Sequence, residues 1–248
     1  MQKLYQSCRA LFDVAFPGED KAWCDALFSL ALPDALRVIG EGQQPQAMLF
    51  ALPYEIVLPD GSRQHAKYLY AVATDPACRG QGHATRLLHR VAAEGAPVFL
   101  RPMSASLFDF YEKAGLSPVS PHLEMSGEST FTGEVYQSLT VAEYLAARAI
   151  FLKPPYATPT AEFLSLGFSF GGAVMLDGKF AAYYERRDEG VFFKEWLGDT
   201  AFAPRVAAFL GAAHYRLRTP CGENEAGATP FGMAAGCPTE LCFLIALD

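Results

Sequence analysis

The sequence predicts a mixed α/β fold made of two halves with a similar layout. Two amphipathic helices open the chain, three strand-like segments follow them, and a helix, a short strand and another helix come next. A small, polar stretch at 126–132 separates this series from a comparable one. At 248 residues the chain is long enough for two domains of ordinary size. We therefore expect one domain over residues 1–132 and a second over 133–248.

Apolar residues at helical spacing predict the two opening helices, in the sets Leu4, Cys8, Leu11, Phe12, Ala15 and Trp23, Ala26, Leu27, Leu30. Three strands are predicted after them, at Leu36–Ile39, Ala47–Leu58 and Lys67–Thr74. Asp60-Gly61 lies between the last two strands and is typical of a hairpin. We therefore expect these three strands to be antiparallel.

Beyond Pro76 the pattern becomes helical, with one apolar face formed by Ala84, Leu87, Leu88 and Val91. Gly95 stands where a C-terminal cap belongs, and a brief strand follows at Val98–Leu100. Ser104 is placed to cap a further helix, which carries the apolar residues Leu107, Phe108 and Tyr111 and stops at Gly115.

The second half repeats this order in outline. Helices are predicted at Thr140–Phe151, Ala161–Leu166 and Ala203–Leu210, and strands at Ala173–Leu176, Phe180–Tyr184, Val191–Leu197, Tyr215–Leu217 and Leu241–Leu247. Asp177-Gly178 is a two-residue hairpin turn between the first two of these strands. The two halves show little residue-level repetition.

Composition excludes several classes of function. A net charge of −7 argues against a nucleic-acid-binding surface, which needs basic residues gathered on one face. The six cysteines and five histidines form no spacing typical of a metal site or a disulfide framework. Neither a secretion signal nor an apolar run of membrane-spanning length is evident. We expect a cytoplasmic protein without metal, membrane or nucleic-acid partner, and both a monomer and a homodimer remain open.

The segment from Val72 to Leu88, VATDPACRGQGHATRLL, carries the chemistry. It combines a strand, a loop with two glycines and a helix, whose first N–H groups have no partner within the helix. Gly80 and Gly82 let backbone approach a diphosphate, and Arg79 adds a positive charge. A P-loop would need a Lys-Ser/Thr pair, and a dinucleotide fingerprint would need a third glycine. The pattern therefore indicates an anion-binding loop of another kind.

This segment resembles the acetyl-CoA signature of the GCN5-related N-acetyltransferase (GNAT) family, (Q/R)xxGx(G/A), with Arg79, Gly82 and Ala84 at its fixed positions. The resemblance implies the GNAT fold, with a mixed, largely antiparallel sheet, and acetyl-CoA as acetyl donor. It also implies a binding site made of Val72, Ala73, Thr74, Arg79, Gly80, Gln81, Gly82, His83, Ala84 and Thr85. Residues 133–248 would be a degenerate GNAT-like domain, because their loop GDTAFAPR lacks the signature. Such a domain would complete the substrate cleft or support the first.

The stretch Phe108–Leu116, FDFYEKAGL, resembles the FYEKxGF ending of a GNAT helix. In that family the tyrosine at this position can protonate the departing CoA thiolate, which makes Tyr111 the candidate general acid. The other interpretation of Tyr111 is an aromatic residue on a buried helix face. The predicted strand Lys67–Thr74 lacks the glutamate that many members carry there, so the general base is unassigned. Glu55 and His65 are the nearest candidates in the sequence.

The resemblance implies transfer of the acetyl group to a primary amine, whose identity the sequence does not specify. A small amine, an amino acid, a polyamine, an aminoglycoside-like drug and a protein N-terminus all remain open. An acyl-CoA-binding sensor or assembly module without activity is the second interpretation, and the missing glutamate favours it.

A serine hydrolase is a remote third interpretation. Gly167–Gly171 matches GxSxG around Ser169, and Asp199 and His214 follow in the order of a hydrolase triad. A nucleophile elbow needs a strand before the serine and a helix after it, whereas Ser169 precedes a predicted strand.

Overall fold

The computed structural model describes residues 2–31, 34–41, 44–188 and 190–245. Within these ranges the helices are Gln2–Ala15 (α1), Lys21–Ala31 (α2), His83–Ala92 (α3), Ser106–Lys113 (α4), Val141–Phe151 (α5), Ala161–Phe168 (α6) and Ala203–Phe209 (α7). The strands are Leu36–Glu41 (β1), Gln44–Val57 (β2), Arg63–Thr74 (β3), Val98–Leu100 (β4), Ser117–Glu128 (β5), Gln137–Leu139 (β6), Tyr156–Pro159 (β7), Gly171–Leu176 (β8), Phe180–Arg187 (β9), Gly190–Gly198 (β10), His214–Pro220 (β11) and Thr229–Ala235 (β12). The predicted mixed α/β fold class, with a mostly antiparallel sheet, is confirmed. No helix in the described ranges has both the length and the apolar character needed to cross a membrane.

The chain forms two compact units. The first comprises Met1–Glu55, His65–Pro118 and Met233–Cys237, and the second comprises Ile56–Gln64, Val119–Gly232 and Pro238–Asp248. The main change of unit thus falls at Pro118, ahead of the polar stretch at 126–132. The reason is β5, which pairs along its length with β11 and so joins the second unit.

In the first unit the strand order is β1-β2-β3-β4-β12. β1 and β2 are antiparallel, whereas β3 and β4 are parallel and are connected through α3. The closing strand, Met233–Ala235 of β12, pairs antiparallel with β4. The core lies between α3, α4 and this sheet, and its members include Leu49, Leu69, Leu87, Leu88, Val91, Val98, Leu100, Tyr111 and Met233.

In the second unit the strand order is β5-β11-β10-β9-β8-β6. β8, β9 and β10 are antiparallel neighbours, and β10 and β11 are parallel with α7 between them in the chain. Trp196 is fully buried in the core on the α7 side and stacks on Phe180 with ring centroids 4.8 Å apart. On α5, Arg148 forms a buried ion pair with Glu195, which also accepts from the Tyr144 hydroxyl.

The two units share one order of elements. β1-β2-β3-α3-β4 in the first corresponds to β8-β9-β10-α7-β11 in the second, with two helices before each series. The strand that follows the first series, β5, pairs with β11 in the second unit. The strand that follows the second series, β12, pairs with β4 in the first unit. We call this arrangement the strand exchange.

Several predicted elements differ from the structure. Residues 241–245 of the predicted last strand form only an isolated bridge between Cys242 and Tyr156, and 246 and 247 lie outside the described residues. The helix predicted to be capped by Ser104 begins at Ser106 with Ala105 as its N-cap, and the Ser104 hydroxyl bonds that of Ser106 instead. The sequence patterns missed β5, β6, β7 and β12.

The free energy of unfolding of a Met233 variant tests the strand exchange. Its side chain is fully buried in the first unit's core. Met233→Ala should lower the free energy of unfolding by about 2–5 kcal/mol, the usual range for truncating a buried methionine. Urea denaturation followed by circular dichroism measures the loss. Met125→Ala, on an exposed side chain of β5, should change it by less than about 0.5 kcal/mol. Equal effects of the two variants would contradict the packing described.

Candidate functional site

The loop between β3 and α3 leaves the start of the helix open. Asp75 Oδ1 accepts from the Ala77 amide at 2.8 Å and caps a short 3₁₀ turn, Pro76–Cys78. Gly80 and Gly82 both have a φ of 74°, a left-handed conformation that favours glycine. Gly82 is the N-cap of α3, and no side chain caps the helix there. The first amides of α3, which have no partner within the helix, are therefore available to an anion.

These elements enclose a cavity of about 550 Å³. All but one of the predicted binding residues line it, namely Val72, Ala73, Thr74, Arg79, Gly80, Gly82, His83, Ala84 and Thr85. The exception is Gln81, an exposed residue whose side-chain amide lies near the carbonyl of Ala77 and the ring of His83. The candidate acid Tyr111 also lines the cavity. The structure thus brings together two segments that the sequence analysis singled out separately.

Part of the cavity wall was not assigned to the site from the sequence. It comes from the end of α1, from the 3₁₀ turn and from α4 with the residues before it: Ala15, Phe16, Cys78, Met103, Leu107 and Phe110. These residues are mostly apolar. Leu107 lies on the predicted apolar helix face, but the pattern does not distinguish a side chain that lines a cavity from one in a core. Only tertiary contact reveals the difference.

β3 leaves its parallel neighbour just before the cavity. The ladder with β4 joins Lys67 to Val98 and Tyr68 to Phe99, and Val72–Thr74 continue past it into the cavity wall. Between them Ala71 has a φ of 53°, a left-handed conformation that costs a non-glycine residue about 1–2 kcal/mol. Strain of this kind persists only where the surrounding structure imposes it. We call this left-handed residue the kink of β3, and the structure around the cavity imposes it.

Tyr111 combines both interpretations made from the sequence. Its side chain is 6% exposed and packs in the core, yet it also reaches the cavity. Burial raises the pKa of Tyr111 to about 12, because the phenolate is poorly solvated there. The hydroxyl consequently carries its proton throughout the neutral range.

His83, the first residue of α3, is buried beside the glycines. Its Nδ1 lies 2.7 Å from Arg86 Nη2, and its Nε2 lies 3.3 Å from Gln81 Oε1. Because arginine only donates hydrogen bonds, Nδ1 accepts and Nε2 carries the hydrogen. The contact holds the Arg86 guanidinium close to the loop, where this group adds to the positive charge of Arg79.

The general base remains unassigned in the structure. His65 is exposed, Glu55 is half-buried, and neither lines the cavity. Among the described residues that do line it, there is no Asp or Glu. The candidate nucleophile Ser169 directly follows α6 and precedes β8, so the order is helix, serine, strand. This is the reverse of a nucleophile elbow.

The second unit has the same connection without the loop. Asp199 caps a 3₁₀ turn, Thr200–Phe202, by accepting from the Ala201 amide at 2.9 Å, just as Asp75 does in the first unit. α7 then begins at once, so the residues that correspond to Arg79–Gly82 are missing. The Phe202 ring lies 5.5 Å from that of Phe180 and packs against the core.

Residues 2–119 match the family model described as an acetyltransferase (GNAT) domain. Residues 2–119 therefore carry a GNAT domain. This confirms the resemblance to the GCN5-related N-acetyltransferases. No curated protein matches the chain in sequence.

Solved structures share this fold over nearly the whole chain. A probable N-acyltransferase from Enterococcus faecalis has a TM-score of 0.64 at 15% identity and covers 94% of this chain and 69% of its own. A GCN5-related N-acetyltransferase from Anabaena variabilis has a TM-score of 0.63 at 14% identity, with coverages of 94% and 70%. A putative acetyltransferase from Pyrococcus horikoshii has a TM-score of 0.61 at 12% identity, with coverages of 96% and 87%. At these identities the likeness concerns the fold.

Glu94 anchors the far end of α3 and provides a pH-dependent test. Its two oxygens accept from Arg37 of β1 at 2.9 and 3.0 Å, and Oε2 also accepts from Lys67 of β3. Arg37, helped by Lys67, lowers the pKa of Glu94 from 4.5 to about 2. Since the folded pKa is depressed, the stabilisation is complete above about pH 4.5 and is lost as the pH falls towards 2.

Glu94→Gln should therefore lower the free energy of unfolding at pH 7 by about 1–2 kcal/mol, after allowance for solvent screening of a partly exposed group. The difference from wild type should shrink below pH 4.5. Urea denaturation at a series of pH values measures it. Glu112→Gln, on an exposed side chain of α4, is the control and should have little effect at any pH. A pH-independent difference would exclude the ionic origin.

Proposed function

We propose that this protein transfers an acetyl group from acetyl-CoA to a primary amine. One observation carries the proposal: the open N-terminus of α3, the kinked end of β3 and the Tyr111 side chain all border the same cavity. The family match supports acyl transfer in general, and the choice of acetyl donor and amine acceptor is our inference.

The cavity suits the donor in three respects. A Cβ added at Gly80 or Gly82 would meet no atom within 4 Å, so the space beside the loop is open to a ligand. The uncapped amides of α3 can donate hydrogen bonds to the pyrophosphate, and Arg79 and Arg86 supply positive charge. The apolar wall of Val72, Leu107 and Phe110 suits a pantetheine arm. We assign the pyrophosphate to residues 79–85 and the pantetheine arm to Val72–Thr74.

Bound acetyl-CoA would supply an activated acetyl thioester. Tyr111 is protonated and can donate a hydrogen bond to the leaving sulfur. Complete transfer of its proton to a thiolate with an ordinary pKa of about 8.5 would be uphill by roughly 5 kcal/mol. Tyr111 therefore acts first by stabilising negative charge on sulfur. Full proton transfer depends on the electrostatic environment of the hydroxyl when acetyl-CoA is bound.

The amine must be neutral in order to react. For a lysine-like amine, deprotonation at pH 7 costs roughly 4–5 kcal/mol. The cavity lining that the structure describes contains no carboxylate that could act as the base. The pKa of the amine must therefore be lowered in another way. An apolar wall can provide it, because desolvation disfavours an ammonium ion and lowers its pKa. The protein's net charge of −7 favours the approach of a cationic acceptor.

The lack of a lining carboxylate also favours the second candidate, an acyl-CoA sensor without activity. Calorimetry with acetyl-CoA should give binding in either case. The two candidates differ in release of free CoA when amines are added, which a thiol reagent measures. A panel of a polyamine, an aminoglycoside, free amino acids and a peptide N-terminus covers the open acceptor classes. Turnover of any member supports the enzyme, and tight binding without turnover supports the sensor.

The second unit belongs to this proposal as a degenerate GNAT-like domain. Its support is the order β8-β9-β10-α7-β11 and the Asp199 turn that matches Asp75. We assign no acetyl-CoA to it, because its connection is too short for a glycine loop.

Gly82→Val should weaken acetyl-CoA binding by at least tenfold, because the side chain would enter the space beside the cavity and the backbone would be strained. Calorimetry measures the affinity. Gly95→Val is the matched control, since Gly95 also has a positive φ and open surroundings but does not line the cavity. Its affinity should stay near that of wild type. An unchanged affinity in Gly82→Val would count against the site.

Tyr111→Phe should lower kcat by about 10² while acetyl-CoA affinity changes less than threefold, because only charge development on sulfur needs the hydroxyl. Steady-state kinetics with the best amine of the panel, together with calorimetry, separates the two quantities. Tyr68→Phe is the control, a buried tyrosine of the same unit that does not line the cavity. Undiminished turnover in Tyr111→Phe would remove its catalytic role.

A further inference from the structure

The second unit has a cavity of its own, which no part of the acyltransferase proposal uses. It measures about 470 Å³ and opens on the strands β10 and β11 and the end of β9. Three arginines line it, Arg187, Arg216 and Arg218, together with Phe192 and Tyr215. We call it the arginine cavity. Within the part of the chain that the structure describes, no Asp or Glu lines it.

The cations around this cavity pair with glutamates of the neighbouring strands. Arg216 and Arg218 share one carboxylate, Glu124, at 2.5 and 3.0 Å. Arg187 and Lys194 share another, Glu185, at 3.2 and 2.7 Å. Among the described residues, two glutamates thus each bridge a pair of cationic side chains beside the cavity. Glu128 lies opposite His214 in the strand register but does not line the cavity.

The neighbouring arginines affect Lys194, which lies beside them on β10. Burial, with a smaller contribution from Arg218 and Arg187, lowers the pKa of Lys194 to about 8, although Glu185 opposes the change. Like charges held this close destabilise one another in a poorly solvated setting. An anion placed among them would relieve the repulsion.

Phe192 forms the apolar floor of the cavity. The guanidinium carbons of Arg218, Arg216 and Arg187 lie 4.6, 5.3 and 5.7 Å from its ring centroid. Arg218 is buried and lies also over Phe231, at 5.2 Å, so it belongs to the floor. Arg187 and Arg216 are different, because their side chains are 58% and 56% exposed. These two present guanidinium groups to whatever enters.

Gly190 lies in the cavity lining where β10 and β11 approach each other closely. A Cβ at this position would lie 2.6 Å from the carbonyl oxygen of His214, closer than any real contact allows. The close approach of the two strands therefore requires glycine at this position.

We propose that the arginine cavity binds a small organic oxyanion, a carboxylate or a phosphate, through Arg187 and Arg216. The planar guanidinium groups match either oxyanion with paired hydrogen bonds. The organic part of the ligand lies along the aromatic wall of Phe192 and Tyr215, and a volume of about 470 Å³ limits it to a small molecule.

The test is calorimetry on the full-length protein at constant ionic strength with three probes: phenyl phosphate, phenylacetate and inorganic phosphate. The two aryl probes share one organic body and differ in the oxyanion, so they identify which group is preferred. The expected result is saturable binding of at least one aryl probe, tighter than that of inorganic phosphate. Arg187→Gln and Arg216→Gln should each weaken it about tenfold to a hundredfold, the usual value of a charge-assisted hydrogen bond.

Arg205→Gln is the matched control. Arg205 of α7 also pairs with a glutamate, Glu134, and also stacks on a phenylalanine, Phe202, but it lies outside the arginine cavity. It should bind the probes like wild type. Absence of binding by both aryl probes, or equal weakening in all three variants, would overturn the proposal. Equal affinity for inorganic phosphate and phenyl phosphate would contradict the proposal that an organic part of the ligand contacts Phe192 and Tyr215. Acetyl-CoA affinity should be unchanged throughout, so the result is independent of the proposed acyl transfer.

Discussion

The pairing of Met233–Ala235 with β4 is the constraint on which the first unit depends. β4 has only three residues, all buried, and it lies between β3 on one side and β12 on the other. Without the closing strand one edge of β4 would expose unpaired backbone groups beside the core that holds Leu100 and Tyr111. Because α4 follows directly after β4, the position of Tyr111 at the cavity rests on a strand more than a hundred residues away in the chain.

The candidate site combines a rigid frame with an open loop. α3 is fixed at its far end by Glu94 and along its length by Leu87, Leu88 and Val91. Its first turn, by contrast, has no side-chain cap and begins at a glycine in a left-handed conformation. The amides that a ligand would use are therefore held in place by packing while remaining unsatisfied within the protein. Such preorganisation reduces the entropy lost on binding.

Local signals in the sequence were sufficient for most of the first unit and for the loop. Helical spacing identified α1, α2 and α3, and the glycine pair marked the loop. The sequence patterns did not reveal which distant segments of the chain pair as neighbouring strands. β5 and β12 are short of alternation and contain proline or glycine, so only their pairing with β11 and β4 makes them strands. The same limit applies to the cavity residues Ala15 and Phe16, which reach the site through tertiary contact.

The strand exchange also bears on the order in which the protein is made. Ribosomes add residues from the N-terminus at about 5–20 per second, so residue 235 emerges roughly 7–27 s after residue 100. For that period the newly made first unit lacks its last strand, and the bare edge of β4 is open to mispairing with other chains. Maturation of the first unit is thereby tied to synthesis of β12, which follows most of the second unit in the chain. Expression of N-terminal fragments would be expected to yield aggregates, and chaperones would be needed most while the second half is still being translated.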